Sequence, residues 1–119
     1  MKRINGVELI KSIYVEDKRG SFKKSIYESS TNEFLVKEIF HNISKKNVIR
    51  GFHLQSGVHA QDKIVNVVYG EIFDVVLDLR PESNTYLEHN QFKLIENGPS
   101  LYIPKVLRMH SAYIAILRL

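Results

Sequence analysis

The chain has no cysteine among its 119 residues, and that single absence removes disulfides, thiolate nucleophiles and thiolate metal sites together. Any chemistry must come from His, carboxylates, Tyr or Lys. No apolar run approaches the length needed to cross a bilayer, and the opening Met1-Lys2-Arg3-Ile4-Asn5-Gly6-Val7-Glu8 puts charge and amide where a signal peptide needs an uninterrupted apolar stretch. A cytoplasmic protein with no membrane partner is expected. The basic residues carry a formal net charge of +4, yet Lys2, Arg3, Lys18, Arg19, Lys23, Lys24, Lys45, Lys46 and Arg50 are scattered, with neither the long cluster nor the aromatic interleaving of a nucleic-acid groove. A solvated surface is the simpler reading, and nucleic acid is not expected as a partner. Internal repeats, linkers and low-complexity segments are also missing, so one domain over 1–119 is expected.

What is present is β pattern. Between Gln61 and Arg80, β-branched and aromatic residues crowd both sides of Tyr69-Gly70-Glu71, which predicts a strand pair. In its second half Phe73, Val75, Leu77 and Leu79 alternate with Asp74, Val76, Asp78 and Arg80. The first set is expected to pack and the second to meet water or a ligand. Further strands are predicted over Val7 to Val15, Val36 to Ile43, Val48 to Gln55, Gln91 to Ile95 and Ser100 to Ile103. Turns are predicted at Asp17-Lys18-Arg19-Gly20, Ser56-Gly57, Pro81-Glu82-Ser83-Asn84 and Glu96-Asn97-Gly98-Pro99. Only Ser29 to Leu35 hints at a helix. Many short strands with such turns predict an antiparallel all-β sandwich or jelly roll.

The segment Val48-Ile49-Arg50-Gly51-Phe52-His53-Leu54-Gln55 sets a cation, a glycine and an imidazole close together on one predicted strand. In a regular strand Arg50 and His53 point to opposite faces; a bulge at Gly51 would turn both into one cavity. The plainer alternative is a strand histidine hydrogen-bonded in a polar rim. Likewise Arg19 reads equally as a turn residue, Lys63 as a strand-edge charge that discourages aggregation, and Asp78 with Arg80 as a cross-strand pair.

Taken together, five elements in order resemble the dTDP-4-dehydrorhamnose 3,5-epimerase family. They are Asp17-Lys18-Arg19-Gly20-Ser21-Phe22, Asn42-Ile43-Ser44, the stretch around Arg50-Gly51-Phe52-His53-Leu54-Gln55, Ala60 to Val65, and Gly70 to Tyr86. The resemblance runs from about Gly6 to Lys105. It implies a cupin-type antiparallel jelly roll, usually a homodimer, acting without metal or organic cofactor on a dTDP-linked 4-keto-6-deoxyhexose. It also implies His53 as general base, and Arg19, Phe22, Asn42, Arg50, Gln55 and Lys63 as substrate-binding residues. Arg19 and Arg50 would meet the diphosphate or its surroundings, and Lys63 would favour negative charge on the sugar oxygen.

Three departures from the family pattern accompany the resemblance. Lys24 stands where the family has glutamate, and Phe40 where it has glutamine. After Ile103-Pro104 the family continues x-Gly-Phe-Ala-His-Gly-Phe, but this chain reads Lys105-Val106-Leu107-Arg108-Met109-His110-Ser111, with the histidine displaced by one. Back-translating Val106 to Ser111 with one guanine restored in front yields Gly-Phe-Ala-His-Ala-Phe. A one-base deletion near Lys105 is therefore expected, making 106–119 an out-of-frame tail and leaving the jelly roll incomplete at its C-terminus. None of Tyr86, Tyr102 and Tyr113 matches the catalytic tyrosine's motif, so the general acid is unassigned. Alternatives are an inactive fragment that keeps only ligand or subunit binding, a related sugar-nucleotide ketoisomerase, and a metal-dependent cupin with His53, His59 and Glu71 as ligands. Gln55 stands against the last, at a position where metal cupins carry histidine.

Overall fold

A computed structural model describes residues 2–27, 36–54, 57–105 and 112–118, the last of these as backbone. The strands in chain order are β1 (Glu8–Ile10), β2 (Ile13–Asp17), β3 (Gly20–Lys24), β4 (Phe52–Leu54), β5 (Lys63–Val65), β6 (Glu71–Leu77), β7 (His89–Ile95), β8 (Ser100–Ile103) and β9 (Ala112–Arg118), with one 3-10 turn at Gly57–His59 between β4 and β5. All the pairings between these strands are antiparallel. One sheet has the order β1-β8-β5, a second β4-β9-β6-β7, and β2 pairs with β3 alone as a separate hairpin.

The two larger sheets meet over one core. Val76 of β6 and Leu94 of β7 come from one side and Leu101 and Ile103 of β8 from the other, joined by Ile4, Val7 and Val67, with Val65, Ile72 and Phe92 packed against them. Burying each such side chain is worth about 1.5–3 kcal/mol, so this cluster is what holds the layers face to face. The predicted all-β sandwich is thus the observed architecture.

Several local expectations are corrected. The strand pair around Tyr69-Gly70-Glu71 does not form: β5 pairs with β8 while β6 pairs with β7 and β9, and the bend at Gly70 (φ 79°) carries the chain from one sheet to the other. The face of β6 expected to meet water is the inward one. Asp74, Val76 and Asp78 are at most 1% exposed, whereas Phe73, Val75 and Leu77 on the other face are half-buried. The stretch from Val7 to Val15 breaks at Lys11-Ser12 into β1 and β2, and 36–43 forms no strand, leaving Ile39 and Phe40 at 74% and 71% exposure. β3 was not anticipated, although the Asp17-Lys18-Arg19-Gly20 turn that creates it was. The helix expected at Ser29 to Leu35 lies outside the described residues.

Two polar devices keep the sandwich in register. Asn90 on β7 accepts from the Ile4 amide through Oδ1 (2.9 Å) and donates through Nδ2 to Lys2 O (3.0 Å), tying the N-terminal segment over the core. Asp78, just past β6, accepts from Arg80 Nε (2.7 Å) and the Arg80 amide (3.0 Å) at Oδ1. Its Oδ2 accepts from Arg80 Nη2 (2.7 Å), Ser83 Oγ (2.7 Å) and Thr85 Oγ1 (2.6 Å). Burial works to raise this carboxyl's pKa, but the Arg80, Thr85 and Ser83 hydrogen bonds more than reverse it and hold the group well below the usual carboxylate range. The expected Asp78–Arg80 cross-strand pair is instead a clasp within the β6–β7 connection.

Candidate functional site

His53 is the middle residue of β4. Backbone register aligns it with position 113 of β9, and that position with Val76 of β6, so 53, 113 and 76 form one row across the sheet. Residues directly opposite one another in antiparallel strands share a face. Val76 is 1% exposed and faces the core, so His53 occupies the same inward face as Val76 while remaining exposed itself. An exposed imidazole in that position can exchange a proton with a bound molecule.

The expected bulge that would turn Arg50 towards His53 does not form. β4 begins at Phe52, its pairing with β9 is regular, and Gly51 lies ahead of it with no φ in the left-handed region. The guanidinium instead turns back onto the preceding loop: Nε donates to Ser44 Oγ (2.9 Å) and Nη2 to Ile43 O (3.4 Å). Ser44 is therefore a site residue whose role, holding a half-buried guanidinium, the sequence reading missed. Asn42 sits exposed in the same loop, and Gln55 lies outside the described residues.

Lys63 opens β5 in the other sheet and is half-buried; desolvation pulls its ammonium pKa below the ordinary lysine value. Its neighbour Asp62 accepts from the Lys105 amide, and the Asp62 carboxylate also bonds Tyr102. Burial, then the Asp62 charge and hydrogen bond, raise the Tyr102 phenol above its ordinary value. Tyr102 lies opposite Ile64 on β8, so Asp62 anchors the strand end from which Lys63 projects.

Arg19 and Phe22 belong to the β2–β3 hairpin. Arg19 folds onto Asp17: its amide donates to Oδ1 (2.8 Å), Nε to Oδ2 (3.1 Å) and Nη2 to Oδ2 (2.7 Å). The side-chain hydrogen bond and then the amide hydrogen bond hold the Asp17 carboxyl below its ordinary pKa. The guanidinium is 84% exposed, so the pair orients it and adds little to stability. Phe22 is 59% exposed on β3.

Four separate pieces thus carry the predicted residues that the structure describes: His53 on one sheet, Lys63 on the other, Asn42 with Arg50 in the loop ahead of β4, and Arg19 with Phe22 on a hairpin belonging to neither sheet. A shallow groove lined by Arg3, Asn5, Gly6, Glu8 and Asn84 contains none of them. His53, His59 and Glu71 do not assemble as a donor set, since among the described residues no three of His, Cys, Asp or Glu come together to hold a metal ion. No helix among them is long and apolar enough to cross a membrane.

Comparison with known proteins adds the deciding observation. The family model described as dTDP-4-dehydrorhamnose 3,5-epimerase matches residues 1–115. The chain belongs to this family. Proteins of that name from Salmonella typhimurium and Escherichia coli strain K12 are 39% and 38% identical to it over 95 residues, each alignment covering 75% of this chain and 52% and 51% of the relative. The chain spans about half the length of these relatives. A crystal structure of dTDP-4-dehydrorhamnose 3,5-epimerase from Elizabethkingia anophelis NUHP1 superposes with a TM-score of 0.73 at 29% identity, over 99% of this chain and 66% of that one. The two packed antiparallel sheets are thus those of the family's cupin-type fold.

Proposed function

We propose that this chain carries the proton-transfer half-site of a cofactor-independent 3,5-epimerase acting on a dTDP-linked 4-keto-6-deoxyhexose in deoxysugar biosynthesis of the rhamnose type. The observation that supports this most directly is His53 on the inward face of the sheet, in the row of Val76, in a chain of this family. Carbons 3 and 5 flank the ketone, so their hydrogens are acidic. His53 takes a proton from one of them, the C–H electron pair moves into an enolate, and the negative charge collects on the sugar's O4. Lys63, partly desolvated, is the cation that favours this charge, because an ammonium acts more strongly on an oxyanion where water is thinned out. Return of a proton to the opposite face of the same carbon completes the inversion; the group that supplies it is not assigned.

Arg50, restrained by Ser44, and Arg19, restrained by Asp17, are the cations for the diphosphate; Phe22, Asn42 and Gln55 complete the ligand contacts. A cytoplasmic homodimer is the assembly we assign. Calorimetric titration with dTDP and proton NMR of dTDP-4-keto-6-deoxyglucose incubated with the protein test the reading. Binding together with inversion at carbon 3 or 5 supports it, and a folded chain that does neither contradicts it.

We further infer that 106–119 is translated out of frame after a one-base deletion near Lys105. Tyr113-Ile114-Ala115-Ile116-Leu117 is apolar and β-prone, which is consistent with β9 pairing in the sheet. Sequencing the gene tests this: a second frame that continues the Gly-Phe-Ala-His pattern supports it, and a closed second frame overturns it.

A further inference from the structure

The β2–β3 hairpin pairs with neither sheet, yet it carries Arg19 and Phe22. A lysine side chain ties it to the body. Lys23 Nζ donates to Val67 O at 3.1 Å, a carbonyl 44 residues away in sequence that belongs to a core residue only 6% exposed. The acceptor is itself in a pinned segment: Glu96 N donates to Gly70 O and Gly70 N to Glu96 Oε2, each at 3.1 Å, so the chain beyond Val67 is fastened to the β7–β8 turn. The Glu96 charge also attracts the Lys23 ammonium, opposing the desolvation that lowers its pKa.

Side chains alternate along a strand, so Lys23 and Phe22 project from opposite faces of β3. A two-stranded ribbon held through Lys23 has its roll fixed: the Lys23 face lies on the body, and the face with Phe22, Lys24 and their β2 partners Val15 and Ile13 is presented outward. We propose that Lys23 is the positioning residue of the hairpin, an ammonium latch on Val67 O that sets where Arg19 and Phe22 stand. It touches no reacting atom, and its consequence for ligand binding rests on the functional reading above.

The absence of native cysteine allows a direct test in the full chain. Spin labels on Lys18→Cys at the hairpin tip and Glu82→Cys on the body, diluted with unlabelled protein, report the hairpin's position as a distance distribution. Lys23→Met keeps the aliphatic stem but deletes the donor, while Lys23→Arg keeps a cationic donor. The distribution is expected to broaden in Lys23→Met and to recover in Lys23→Arg, with dTDP affinity falling about fivefold in the first and recovering in the second. An unchanged distribution in Lys23→Met overturns the latch whatever dTDP does. A broadened distribution with unchanged dTDP affinity overturns the positioning role. A wild-type chain that ignores dTDP while its distance still responds to Lys23 retains the latch and overturns the functional reading instead.

Discussion

Arg50 donates through Nε to Ser44 Oγ at 2.9 Å, so a loop hydroxyl six residues upstream fixes the guanidinium that precedes the histidine strand. Ser44→Ala removes one hydrogen bond worth about 1 kcal/mol, without opening a large cavity. dTDP affinity is expected to fall about fivefold with little change in Tm. Arg50→Lys is expected to weaken binding as well, because a lysine lacks the planar donor pair that engages Ser44 Oγ and Ile43 O together. Calorimetric titration of both variants checks this.

Asp78 makes the strongest stability prediction. The carboxylate is 1% exposed and its bonds to Arg80, Ser83 and Thr85 close the β6–β7 connection. Asp78→Asn, which removes the charge opposite Arg80, should cost about 3 kcal/mol in urea unfolding. Because the folded pKa is depressed, this contribution is fully present above the ordinary carboxylate pKa of about 4. It is lost as pH falls below that value towards the folded pKa. Wild-type stability should therefore decline on acidification through this range more steeply than that of Asp78→Asn.

Arg19 is predicted to separate binding from folding. Its partner Asp17 is solvent-exposed, so Arg19→Ala should leave Tm unchanged. Loss of a charge-assisted contact to a diphosphate should nevertheless weaken dTDP binding by roughly tenfold or more. The weakening should diminish in high salt, where the wild-type interaction is itself screened.

Lys63 gives a pH slope of the same sign as Asp78, but in the alkaline range and from a desolvation penalty on its ammonium that is relieved as pH rises. Its folded pKa is lowered by desolvation, so between that value and the ordinary lysine pKa the unfolded chain binds more protons. Stability arising from this group rises with pH across the interval. Lys63→Met abolishes that rise. If Lys63 also serves the enolate, the substitution lowers the rate of exchange at the sugar carbons far more than it lowers dTDP affinity, which a comparison of the two measurements reveals.

Turn chemistry and strand composition were legible without coordinates: Asp17-Lys18-Arg19-Gly20 is the hairpin turn, with Gly20 at φ 131°, and Ser100 to Ile103 is β8 as predicted. The facing of β6 was misread because period-two alternation says which residues share a face but not which face is inside. Asp74 and Asp78 look solvent-directed on charge alone. A signal was there in Asp78-x-Arg80-x-x-Ser83-x-Thr85, a carboxylate followed by a guanidinium and two hydroxyls within one connection, the donor set a buried acid requires. In the site, His53, Arg50 and Lys63 were found by type and order, whereas Ser44, Asp62 and Lys23 act through contacts that depend on how loops return, which local pattern does not encode.

Deuterium entry from solvent tests the role of His53 most directly. Purified protein is incubated in D2O with dTDP-4-keto-6-deoxyglucose, and deuterium at carbons 3 and 5 is followed by NMR, with His53→Ala as the paired variant. Incorporation by the wild type that disappears in His53→Ala, with dTDP binding retained, is the predicted result. Incorporation that survives in His53→Ala, or none from a folded wild-type chain that binds dTDP, would contradict the assignment of His53 as the base.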